Sequence, residues 1–192
     1  MLIDKTEYMT AGIYIGMKSC TPYMKQFVYK IREDGLAMFN LKKVDERLKL
    51  AADFISNFKK ILVVSRKEGA KKAIEKFAEA VGCKAISGRF NPGTLTNPSF
   101  RDFFEPNLVF VVDPLVDEQV IIEARKKRIP VVAMCNTFNN ARDVDLIIPL
   151  NNNGKKSLAL AFWVMARETL KVMGKIKKDS DFNLKVEDFG SD

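Results

Sequence analysis

From residue 36 to residue 173 the chain alternates short runs of β-branched and aliphatic residues with amphipathic stretches, and few architectures accept that alternation. Residues 61–64 (ILVV) and 108–112 (LVFVV) are apolar at every position, the signature of strands buried on both faces. Residues 130–134 and 146–148 continue the series, with 36–39 and 84–86 as shorter members. Between them, Val44, Leu48, Ala51, Ile55 and Phe58 share one face of a helix predicted over 45–58. Ala70, Ala73, Ile74, Phe77 and Val81 form a stripe on a second helix over 68–81, which Gly82 ends as a left-handed cap. Further helices are predicted over 117–127 and 155–173. The last is apolar nearly all round between Leu158 and Ala166, so neighbours should cover more than one side of it. Strands alternating with helices imply an α/β fold, a flavodoxin-like or Rossmann-like three-layer sandwich on a mainly parallel sheet.

The flanks read differently. Residues 1–35 have no sustained period and predict short helices and irregular structure draped over the domain at 36–174. Residues 175–192 mix charges with few apolar side chains and predict a mobile tail.

Composition narrows the function. A formal charge of +8 favours anionic partners, nucleic acid ahead of membranes. The chain has no histidine, so the commonest metal ligand and the ordinary neutral-pH acid–base group are both missing. Cys20, Cys83 and Cys135 are isolated and odd in number, which suits packing roles in a reducing cytosol. The longest apolar run, 158–166, is about half of what a membrane span requires. The opening residues carry charges where a leader would be apolar, so a cytoplasmic protein is expected.

In open α/β sheets ligands sit at the carboxyl ends of the strands. SRKEG at 65–69 has one glycine and no GxGxxG, a poor phosphate turn. NGKKS at 153–157 fails as a P-loop, because Pro149 stands in place of the first glycine and Lys156 in place of the Ser or Thr. The Asn151–Gly154 run reads as a turn before the last helix, packed against the loop at 87–98. Asp113, Asp117 and Glu118 read as turn and helix caps rather than acid–base groups. No catalytic residue, metal site, cofactor or small-molecule substrate is expected.

The cations are more telling. Lys42 and Lys43 belong to the first main helix; Arg66, Lys67, Lys71 and Lys72 crowd the start of another, against the preference of its dipole. Phosphates nearby would explain that placement. The loop SGRFNPGTLTNP at 87–98 adds Arg89 for a phosphate and Phe90 as a core plug or stacking ring. Lys42, Lys43, Arg66, Lys67, Lys71, Lys72 and Arg89 are the predicted RNA contacts.

GRFNPGTLTNP closely resembles the signature of a small-subunit ribosomal protein family, called SA or laminin receptor precursor in eukaryotes and "S-two" in bacteria and archaea. AGIYIG at 11–16, FVYKIREDGLAMFNLKKVDERLKLAA at 27–52, EPNLVFVVDPLVDEQVIIEA at 105–124 and the text at 129–170 are similar too. The resemblance spans about residues 8–171 and looks archaeal. It implies the fold reached above and a structural role on the small subunit, touching ribosomal RNA and neighbouring ribosomal proteins, with no membrane. Tyr14 replaces a common histidine, and only a short link at 96–105 stands where bacterial members carry a helical hairpin. Two rivals are a sugar-phosphate-binding enzyme or sensor on the same fold, and a pure protein-interaction module.

Overall fold

The computed structural model describes residues 1–190. Strands β3 (Ile61–Ser65), β4 (Lys84–Ser87), β5 (Leu108–Val111), β6 (Val131–Cys135) and β7 (Leu146–Pro149) form a five-stranded sheet in the order β4-β3-β5-β6-β7. Every pairing in it is parallel. The inner strands β3, β5 and β6 are buried at each position, as their unbroken apolar runs require. This is the expected α/β sandwich.

Helix α3 (Lys71–Val81) links β3 to β4, and α4 (Glu118–Lys126) links β5 to β6. The two crossovers run in opposite directions along the sheet, so right-handed connections put α3 and α4 on opposite faces. Helices α2 (Leu41–Ser56) and α5 (Lys155–Val172) join α3 on its face. There α5 lies between the other two, which explains its nearly all-round burial. Phe77, Phe110 and Phe162 meet at centroid distances of 5.4–6.0 Å and lock α3, β5 and α5 together. Gly82 closes α3 at φ +85°.

Three boundaries depart from expectation. Helix α2 starts at Leu41, because Asn40 caps it: its side chain accepts from the Lys42 amide at 3.0 Å. Residues 36–39 do not join the main sheet. Instead β2 (Ala37–Phe39) pairs antiparallel with β1 (Val28–Ile31), a short and largely exposed strand that no alternation in the sequence revealed. The hairpin crosses the 35/36 boundary, so the N-terminal segment extends to Asn40 and carries α1 (Lys5–Thr10) with it. Gly16 threads between hairpin and sheet; a Cβ there would lie 2.5 Å from Thr137 and 2.8 Å from the Ala37 carbonyl.

The charged C-terminal segment, expected to be mobile, is laid against α3 and α5 as far as Gly190. Phe182 packs edge-on to Trp163 at 5.9 Å, the Trp163 indole donates to the Leu184 carbonyl at 2.7 Å, and Phe189 is fully buried. Its few apolar residues each find a slot, which outweighs the surrounding charge. Residues 191 and 192 of that predicted tail lie outside the described residues. Phe189→Ala should lower stability in urea unfolding by about 3 kcal/mol, the usual cost of emptying a buried aromatic site. A change below about 1 kcal/mol would mean that the segment is not seated.

Candidate nucleic-acid interface

The sheet order places its topological switch point between β3 and β5, where doubly wound proteins bind their ligands. Here the protein fills that point with its own polar side chains. The Lys67 ammonium, just past β3, pairs with Asp113, just past β5, at 2.6 Å. It also donates to the Asn152 carbonyl at 2.9 Å and to the side chain of Asn153 at 2.5 Å. Asp113 accepts from the Asn139 amide at 2.8 Å. The fully buried Asn152 side chain reaches the Val112 and Met134 carbonyls, each at 3.2 Å. Thr137 extends the network to the N-terminal segment, donating to the Ser19 carbonyl and accepting from the Met17 amide.

One ammonium thus ties together the loops that leave β3, β5 and β7, with Asn139 adding the loop after β6. Lys67 thus differs from the other predicted RNA contacts, since its charge is paired with Asp113 within the protein. The network also moves the Asn151–Gly154 turn, which packs under Lys67 rather than on the 87–98 loop. Asp113 keeps its expected turn-capping role, accepting from the Leu115 amide at 3.0 Å. Asp117 does not cap α4; it accepts instead from the Arg66 amide at 3.0 Å.

Residues 88–107 cover the sheet face where a helix would ordinarily lie, with Leu95 and Phe90 buried as plugs. Their anchor is Glu123 on α4, itself buried. Its carboxylate accepts from the amides of Gly93 at 2.7 Å and Leu95 at 3.1 Å, from the Thr96 hydroxyl at 3.3 Å, and from Gln119. Burial alone would raise the pKa of Glu123, but these hydrogen bonds outweigh it and hold the group below its usual range. The signal was in the sequence, as a glutamate on the inward face of a helix, yet nothing local named its partners.

Anchoring this loop brings Arg89 beside Arg66. Both are exposed, and both line a cleft of about 200 Å³ with Phe90, Pro92 and Asp117. Neither guanidinium has an ion-pair partner among the described residues. Lys71 and Lys72 are exposed on the first turn of α3, and Gly190 lies against the stem of Lys72. Lys42 and Lys43 stand apart, beside the hairpin at the start of α2; Lys43 donates to the Gln26 carbonyl.

A family model described as ribosomal protein S2 matches residues 8–102 and 103–171. The chain belongs to the ribosomal protein S2 family. Small ribosomal subunit protein uS2 of Ignicoccus hospitalis is 46% identical over 183 residues, which cover 94% of this chain and 86% of that protein. The proteins of the same name from Staphylothermus marinus and Nanoarchaeum equitans are each 44% identical, over 94% and 98% of this chain and 83% and 94% of theirs. A member of the S2 family of this archaeal type is a structural component of the ribosome, not an enzyme, and the enzyme or sensor alternative has no support. Among the described residues no helix is long and apolar enough to cross a membrane.

Two outcomes follow from this plug. Lys67→Met leaves Asp113 buried without its counter-charge and should cost roughly 3–5 kcal/mol in denaturant unfolding; a cost under about 1 kcal/mol would remove the ammonium from its structural role. Asp117 supplies a pH signature. Burial, then the charge of Asp113, pushes its carboxyl up to about 6 against the bond from the Arg66 amide, and one oxygen has no protein partner. A carboxyl raised by folding binds its proton better in the native state, so stability from this group grows as pH falls through about 6. Asp117→Asn should therefore stabilise the protein at pH 7 by roughly 1–3 kcal/mol, with the gap closing near pH 4. A gap independent of pH would contradict the assignment.

Proposed function

We propose that the protein docks on the small-subunit ribosomal RNA through the carboxyl edge of its sheet. Arg66 and Arg89 take phosphates there, Lys71 and Lys72 extend the track along α3, and other surfaces meet neighbouring ribosomal proteins. The observation that carries this reading is the pair of exposed guanidiniums, unpaired within the protein, converging on one cleft. Arginine presents a planar fork that fits phosphate oxygens, and two such forks fixed by a rigid edge set register on folded RNA. The net charge of +8 adds long-range attraction, and release of counterions supplies much of the affinity. In this role the protein acts in the cytoplasm, helps the subunit assemble, and supports translation without binding a cofactor.

The test is a salt titration of the purified chain on small-subunit ribosomal RNA. Binding should weaken steeply with salt, and Arg66→Ala with Arg89→Ala should reduce the slope of log K against log salt by about 2. Lys126→Ala with Lys127→Ala, on the opposite edge, should leave it nearly unchanged. Affinity that ignores ionic strength, or equal effects of the two pairs, would refute the proposal.

A further inference from the structure

A cleft made for phosphate alone has no use for a carboxylate, yet Asp117 lines the same cavity of about 200 Å³ as Arg66 and Arg89. Asp117 is only 3% exposed. One of its oxygens accepts from the Arg66 amide at 3.0 Å; the other, Oδ2, is buried without a protein partner. A buried acceptor lacking a donor destabilises the fold, and native proteins keep few of them. Gln119 adds a second acceptor to the cleft. Its amide nitrogen donates to the Glu123 carboxylate at 2.9 Å, so its carbonyl oxygen is the atom left for a ligand. Phe90, Pro92 and Val116 supply apolar wall between these polar groups.

We propose that the cleft seats one unpaired guanine of the RNA, whose Watson–Crick edge donates to Asp117 Oδ2; this rests on the phosphate contacts of Arg66 and Arg89. Carboxylate and amide oxygens only accept, so the group they meet must donate. Guanine carries N1–H and an amino group side by side, and its O6 and N7 suit a guanidinium. Uracil has a single N–H between two carbonyl oxygens, which the carboxylate would repel. Adenine and cytosine each set one amino group beside a bare ring nitrogen, an acceptor facing another acceptor. Apolar wall and guanidinium planes both take the face of a flat ring. The donor edge is free only outside a duplex, so the ligand is a loop, bulge or single strand. The Asp117 carboxyl, pushed up to about 6, is still ionised at about pH 7.5 and can accept.

Fluorescence anisotropy of the purified chain on short single strands at about pH 7.5 reads the base directly. An oligouridine carrying one central guanosine should bind at least fivefold more tightly than oligouridine itself. Inosine at that position, which lacks only the amino group, should lose most of the gain. Asp117→Asn should bind the guanosine and uridine strands alike, although it should be the more stable protein at that pH. Such a variant, sturdier but blind to the base, marks a ligand-facing group and not a structural one. Free GMP should compete at least tenfold less well than the guanosine strand, since it brings a single phosphate to two guanidiniums. Equal affinity for guanosine and uridine strands, or a preference that survives Asp117→Asn, would sink the base site while the salt-dependent phosphate contacts stand. GMP competing as well as the strand would give the cleft to a free nucleotide and overturn the proposal. A salt slope untouched by Arg66→Ala with Arg89→Ala would remove the phosphate contacts and the base site with them.

Discussion

A single ammonium group, half-buried between two strand ends, governs what this sheet can do. Removing Lys67 and Asp113 from water carries a desolvation cost that only close pairing and further hydrogen bonds can offset. The 2.6 Å contact with Asp113 and the bonds to Asn152 and Asn153 supply them. The asparagines then carry the same network to the loop after β6 and to the N-terminal segment. The place where a doubly wound protein would admit a nucleotide is thereby a rigid polar plug. Chemistry is given up there in favour of shape.

With that edge fixed, charge is displayed outward. Glu123 does for the long loop what Lys67 does for the strand ends: an ion satisfied by several hydrogen-bond partners holds a segment that has no secondary structure of its own. Because the loop is held, Arg89 stands in a defined position next to Arg66. Long flexible side chains lose rotamer freedom on binding, so mounting them on a stiff edge keeps that loss to the side chains alone.

Much of the architecture was legible because parallel strands write themselves as unbroken apolar runs. Residues 61–64 and 108–112 admit no other reading at that spacing, and the stripe on α3 with Gly82 behind it marked both period and stop. What escaped was encoded at long range. Strand β1, with its exposed Tyr29 and Ile31, lacks a buried face to impose alternation. The start of α2 depended on Asn40 acting as a cap five residues before the first residue assigned to the helix. The C-terminal segment looked solvated because Phe182, Leu184 and Phe189 are sparse, yet each meets a slot on α3 or α5. Lys67 resembled its basic neighbours in sequence; only the arrival of Asp113 from another strand turns it inward. Arg66 and Arg89 were legible as cations, while their convergence was not.

The most direct measurement is a density map of an assembled small subunit containing this chain, sharp enough to show side chains. The account predicts the Lys67 ammonium against Asp113 and Asn153, with ribosomal RNA phosphates within hydrogen-bonding reach of the Arg66 and Arg89 guanidiniums. A Lys67 side chain turned outward onto a phosphate, with the cleft beside Arg89 facing solvent, would contradict it.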